Sequence, residues 1–390
     1  MKSASISLLA LAAIALGCAI FAPHAFSGNT SEAKKDPVSI AVEKGAKWLV
    51  STQGKDGGWG QDGGETSYVR QGERLESNGN DVANTAVAAT ALLRAGSTPT
   101  GGEYQASLLR AVNFILRHVD DSSPDGLEVT TLKGTQIQRK LGPYIDTFLT
   151  SKLLAELDGT MGDARANAHV RQALQKCVAK IEKNQLKDGS WNIAGGWAPI
   201  LGTSMASRSL YMAKEKGVAV SPVAMDKVQQ YTANSVQVVG PSSVRVSGPV
   251  GAGAMGGISG GYAASAGVRL YQDAQALEQM SRTDKDRKQN AAQIKAMTGQ
   301  LSDNRYVMGF GSFGGEEFFS YLNISDSLRR TGGPAWEKWN SDMKTKLVKL
   351  QNEDGTWAGH HCITGRVAVT SAAILTMLVD RESIASVKKN

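Results

Sequence analysis

The sequence predicts an all-α fold, a closed (α/α)6 toroid of six helical hairpins, and three observations carry that reading. First, one spacing recurs three times: Gln, five residues, then Trp, with Gly two places before the Trp. The copies are Gln53-Gly-Lys-Asp-Gly57-Gly-Trp59, Gln185-Leu-Lys-Asp-Gly189-Ser-Trp191 and Gln351-Asn-Glu-Asp-Gly355-Thr-Trp357. Second, helix-like stretches come in pairs, giving six units of about sixty residues, the mark of a repeat architecture. Third, the second stretch of each pair is rich in Ala, Ser and Leu and poor in charge. It carries a small hydroxyl near its start, at Thr85, Thr147, Thr203, Ser265, Ser320 and Thr370. Such helices suit an inner ring packed on both sides, and the first stretches, richer in Lys and Glu, suit an outer ring.

In chain order, the first outer stretch runs from Ile40 to Val50 and stops at Gln53. Its partner begins near Asp81 and stops at Ala95-Gly96, where Gly is a C-terminal stop signal. The remaining pairs are 108–118 with 144–157, 170–183 with 203–216, 225–236 with 262–280, 289–301 with 316–330, and 336–350 with 366–378. The recurring turn has a structural use that needs no substrate. Asp and Gly suit a tight turn, Trp supplies an apolar plate with one N–H donor, and Gln reaches the backbone of a neighbouring helix.

The ends read differently. Lys2 precedes the apolar run Ile6 to Ile20, and Ala25-Phe-Ser27 supplies the small residues a signal peptidase reads, so residues 1–27 are expected to be a secretory signal. Leu16-Gly17-Cys18 offers the alternative of a lipid anchor on Cys18. Residues 28–38 form a polar entry segment, 39–381 the toroid domain with a Gly-rich loop at 237–261, and 382–390 a tail. With 41% hydrophobic and 20% charged residues, the composition is that of a soluble globular protein. The net charge of +7 is spread without a basic stripe, which argues against nucleic acid as a partner. No later stretch is long and apolar enough to span a bilayer. Cys177 and Cys362, in the third and sixth repeats, are expected to be separate thiols, Cys177 packing with Leu174, Val178 and Ile181.

The repeated turn is similar to the QW motif of squalene and oxidosqualene cyclases. The first copy matches that motif through both halves: Lys44-Gly45, two residues, Trp48-Leu49, three residues, Gln53, three residues, Gly57-Gly58-Trp59. The resemblance covers roughly residues 39–380 and implies the α/α-toroid group of terpene cyclases and protein prenyltransferase β-subunits. It implies a central cavity that takes an apolar, isoprenoid-like ligand. The cyclases protonate an alkene with Asp-x-Asp-Asp-Thr-Ala; here the matching stretch is Asp81-Val82-Ala83-Asn84-Thr85-Ala86. Ala83 stands at the proton donor's place and has no proton to give. The prenyltransferases bind zinc through Asp-x-Cys and a later His, and no Asp-x-Cys occurs here.

The candidate catalytic acids are therefore Asp81, Asp146, Glu316 and Glu317, which could meet as an acid–base set at the ring centre. For Glu316 and Glu317 the plainer role is to stabilise the positive end of a helix dipole. Asn84, Thr85, Arg208, Tyr262 and Thr370 are candidates for lining the cavity, and His360-His361-Cys362 is a weak candidate for a zinc site or an activated thiol. Gly251-Ala-Gly253-Ala-Met-Gly256 spells a dinucleotide fingerprint, but it lacks the surrounding βαβ pattern and reads as a loop. The functional expectation is an exported toroid that binds an apolar ligand, with a diverged cyclase-like activity left open. A non-catalytic scaffold for a protein partner and a carbohydrate-active toroid are the alternatives. Aromatic residues make up only 6% of the chain, which weighs against a cyclase-type cavity.

Overall fold

The first helix, α1 (Pro37–Ser51), begins three residues before its apolar pattern does, because Asp36 and Pro37 form a ready start. Asp36 accepts from the backbone N–H groups of Val38 and Ser39, each at 3.0 Å, and Pro37 needs no donor partner at the first helical position. The computed structural model describes residues 36–61, 79–193, 199–235, 261–309 and 313–381. The expected signal segment with Cys18, the C-terminal tail and the fingerprint-like glycines at 251–256 lie outside them, as does the Gly-rich loop up to residue 260. All described residues belong to one compact unit.

Those residues are helical, and no strand occurs among them. The helices expected as the second member of each pair are α2 (Val82–Arg94), α5 (Ile145–Leu157), α7 (Pro199–Glu215), α9 (Gly261–Met280), α13 (Gly315–Thr331) and α15 (Arg366–Met377). Their neighbours in the chain are α1, α3 (Gln105–Asp121), α6 (Ala164–Lys183), α8 (Pro222–Ser235), α11 (Ala291–Gln300) and α14 (Gly333–Leu350). Three short helices have no counterpart in the sequence expectation: α4 (Gln136–Leu141), α10 (Asp284–Gln289) and α12 (Asn304–Val307).

Burial separates the two sets. Every residue of α15 from Val367 to Met377 is buried, as is every residue of α2 from Val82 to Leu92. Helix α3 instead buries a stripe, Leu108, Ala111, Val112, Ile115 and Val119, at helical spacing. Among the first set, α2 packs on α5, α5 on α7, α7 on α9, α9 on α13, α13 on α15, and α15 on α2.

The three Gln–Trp turns repeat one set of bonds. The indole N–H of Trp59, Trp191 and Trp357 donates to the carbonyl of Leu49, Ile181 and Leu347, at 2.6, 2.7 and 2.8 Å. Their backbone N–H groups donate to the hydroxyls of Thr85, Thr203 and Thr370 on α2, α7 and α15. Each Gln amide donates within its own turn and also to another helix, α3, α8 or α1. Gln53 reaches Ser107, Gln185 reaches Ala224, and Gln351 reaches Ala41 at 2.8 Å. The glycines are required twice over. Gly57, Gly189 and Gly355 have φ of 95°, 92° and 89°, and a Cβ on Gly189 would lie 2.2 Å from the carbonyl oxygen of Lys227. Trp357→Ala is expected to cost about 3–5 kcal/mol in urea denaturation, the range for deleting a buried aromatic. Trp357→Phe should cost less, because it loses mainly the bond to Leu347; equal costs would deny the indole any role beyond volume.

Candidate functional site

The buried acids gather at the starts of α2, α5 and α13. Asp81 is the N-cap of α2: one carboxylate oxygen accepts from Asn84 N at 2.8 Å and the other from Asn84 Nδ2 at 2.7 Å. Asp146, second residue of α5, reaches across and accepts from the free N–H of Ala83 at 3.1 Å. Its other oxygen accepts from Gln138 Nε2 at 2.7 Å. Both acids thus satisfy the donor end of α2. Burial, and then the charge of Asp146, pushes the Asp81 carboxyl up to about 7. Burial pushes Asp146 up to about 6, with the Gln138 hydrogen bond opposing it. Two buried carboxyls in this state hold a proton near neutral pH.

A second group forms between the first turn of α13 and the segment leading into α15. Glu316 and Glu317 are fully buried. Oxygen and nitrogen atoms of Glu316 and His361 and the Cys362 sulfur all lie within 4.8 Å of one another. Glu316 also accepts from the Ile363 N–H at 3.3 Å, and its Oε1 is enclosed without a hydrogen-bond partner. Glu317 accepts from the Tyr271 hydroxyl of α9 at 3.0 Å. Burial raises the Glu316 carboxyl, and burial together with the Glu316 charge raises the Cys362 thiol, so without a cation the thiol keeps its proton.

Backbone geometry at this group is unusual. Cys362 has φ of 61°, the one non-glycine in the left-handed region among the described residues. The chain packs so closely that a Cβ on Gly314 would lie 2.3 Å from His361 Cε1 and 2.6 Å from Glu317 Oε2. A Cβ on Gly359 would lie 2.0 Å from the Ile363 carbonyl oxygen. The glycine-rich run before α13 therefore has a local cause: side chains there would displace the imidazole and the carboxylate.

Helix α4 links the two groups. Thr135 and Gln138 close a capping box at its start. Gln136 then accepts from the N–H groups of Thr364 and Gly365, both at 3.0 Å, while Gln138 holds Asp146. The carboxylate, imidazole and thiol set is chemically suited to zinc, which takes O, N and S donors at about 2.0–2.3 Å in tetrahedral array. Donors in such an array are roughly 3.5 Å apart, so a span of 4.8 Å closes with small side-chain rotations.

The sequence candidates are distributed as follows. Asp81 and Asp146 meet; Glu316 and Glu317 adjoin His361 and Cys362. Thr85 and Thr370 serve the Trp turns, and Asn84 serves Asp81. One expectation needs correction. His360 is outside the donor trio, in which Glu316 stands instead; the backbone N–H of His360 donates to the Phe313 carbonyl at 2.9 Å. Arg208 pairs with Asp326 at 2.9 Å, well along α7. Tyr262 begins α9, in a stretch whose side chains lie outside those described. Cys177 and Cys362 are separate buried thiols. Sequence reasoning missed Gln136, Gln138 and Tyr271, of which only the Thr135–Gln138 capping box carried a readable signal.

Fold and site together define an all-α protein with a buried acid, imidazole and thiol centre, and no described helix is long and apolar enough to cross a membrane. No protein-family model matches the chain, and no curated protein matches it.

Proposed function

We propose that the protein is an exported α/α toroid of the terpene-cyclase and prenyltransferase β-subunit type. In this reading it binds an apolar, isoprenoid-like ligand within the ring, and Glu316, His361 and Cys362 hold a zinc ion at the mouth. The observation that carries the proposal is the trio of unlike donors drawn from two segments onto one strained turn at Cys362. Ring closure is supported by the packing order, which returns α15 to α2, and by Gln351, whose amide donates to Ala41. Three protein ligands would leave one tetrahedral position open to water or to a polar atom of the ligand.

In this scheme the chain's own groups have distinct tasks. Glu316 offers the anionic oxygen, and its charge balances the cation. Glu317, fixed by Tyr271, orients the turn that presents His361. Asp81 and Asp146 keep a proton available, which a polar, basic group of the ligand could receive. Export is supported only by the N-terminal sequence pattern.

The test is paired: elemental analysis of the mature protein, and mass spectrometry of its organic-solvent extract. About one zinc per chain and a stoichiometric lipid are expected. Absence of zinc that persists after incubation with zinc overturns the metal centre. An extract that stays empty after incubation with linear polyprenyl compounds overturns the ligand and favours the scaffold alternative.

A further inference from the structure

The inner helices also carry charge deep in their second halves, away from the acid mouth. Lys152 lies six residues beyond Asp146 on α5, about 9 Å further along the axis. Arg208 on α7 pairs with Asp326 of α13 at 2.9 Å and stands 3.6 Å from Glu278 of α9. Arg282 holds Glu278 through three bonds at 3.0, 3.1 and 2.5 Å, and Arg330 reaches both Asp326 and Glu278. Beside them Arg94 takes up Glu156 at 2.8 Å, and Arg329 stands 3.5 Å from Asp326. Glu215, exposed near the end of α7, also faces Arg208.

Two features set this cluster apart from a self-contained ion-pair network. Cations outnumber carboxylates, and the donors are not used up. Arg208 Nη1 and Arg330 Nη1 are enclosed and make no hydrogen bond, both standing at ion-pair range from one oxygen of Glu278, at 3.6 and 3.9 Å. Lys152 has no hydrogen-bond or ion-pair partner among the described residues; burial and the Arg208 charge pull its ammonium below the ordinary lysine range. Water nonetheless enters, since the Arg208 side chain keeps 15% exposure and Asp326 keeps 19%, whereas α2 and α15 are closed along their lengths. Helix C-terminal dipoles favour some cations here, but a dipole does not occupy a guanidinium N–H.

We propose that this cluster is an anion site that takes a multiply charged oxyanion of the phosphate class, with Lys152, Arg208 and Arg330 as its donors. The donors come from three different helices, which suits a tetrahedral group with acceptors in several directions better than a flat carboxylate. The excess of positive charge likewise calls for more than one negative charge. The oxyanion is either a free anion or the head of an amphiphile whose tail lies along the axis.

Calorimetric titration of the mature chain at fixed ionic strength, with inorganic phosphate and with monododecyl phosphate, tests this. Saturable binding is expected, about tenfold or more weaker in Lys152→Met, a loss that corresponds to one charged contact. That variant should fold, because Lys152 holds no other residue, and its zinc content should equal the wild type's. Tighter binding of the alkyl phosphate identifies an amphiphile head group, and equal binding a free anion; both require the Lys152 dependence. Absence of saturable binding by either probe, or binding that Lys152→Met leaves unchanged, overturns the proposal. The zinc and lipid measurements are independent of it.

Discussion

Raising the pH from about 5 to about 8 is expected to destabilise the protein, and Asp81→Asn is expected to remove much of that loss. The sign follows from the direction of the shifts. Asp81 and Asp146 sit above the ordinary aspartate value of 3.8, at about 7 and about 6. Between those limits the folded protein binds more protons than the unfolded chain, so stability falls as pH rises. Their favourable contribution is complete below the unfolded value and is lost as pH passes through 6 and 7. For Asp81 a shift of about three units corresponds to an order of 4 kcal/mol at alkaline pH. Glu316, also raised by burial, acts in the same sense. Asn at position 81 keeps the cap on α2, since its side-chain oxygen still accepts from Asn84 N. Its amide would then face Asn84, whose Oδ1 is enclosed without a hydrogen bond and becomes the acceptor when that side chain turns over. Melting temperature against pH, in wild type and variant, checks this; parallel curves would remove Asp81 from the account.

The second large effect expected is a fall in melting temperature on chelation. A ligand present at a thousandfold its Kd stabilises the native state by about 4 kcal/mol. At about 2 °C per kcal/mol for a chain of this length, the zinc-free protein should melt roughly 8 °C lower. Cys362→Ser should behave like zinc-free wild type whether or not zinc is present, because Ser fills the same space and tolerates the same backbone but binds zinc poorly. The buried thiol adds a pH signature. Its proton must leave when the metal enters, so zinc affinity should weaken as pH falls. A wild type whose melting point ignores both zinc and chelator would sink the centre, however close its donors lie.

How much of this was readable depended on distance along the chain. The Gln–Trp turns were legible because Asp, Gly and Trp do their work within seven residues of one another. The hydroxyls of Thr85, Thr203 and Thr370 were legible as a register, although their acceptance of the Trp N–H was not. The donor trio was misread because His360 is adjacent to His361, while Glu316 comes from 45 residues upstream of His361. The left-handed turn at Cys362 lets two adjacent residues share the site, and a backbone turn of that kind, like the approach of a distant helix, is not written in the order of the donors. The Lys152 cluster had no sequence signature, since five helices far apart in the chain contribute its charges.

The bond from Gln351 to Ala41 joins residues 310 positions apart. Its two sister bonds, from Gln53 and Gln185, span only 54 and 39 positions. During synthesis, then, α1 waits for nearly the whole chain before its clamp exists, while α3 and α8 are held as soon as they emerge. Loop closure on that scale makes the α1–α14–α15 junction late in assembly and slow to re-form. It is the seam of the molecule. Native-state hydrogen exchange should find the amides of α1 opening before those of α5, and Gln351→Ala should widen that difference without touching the exchange of α5.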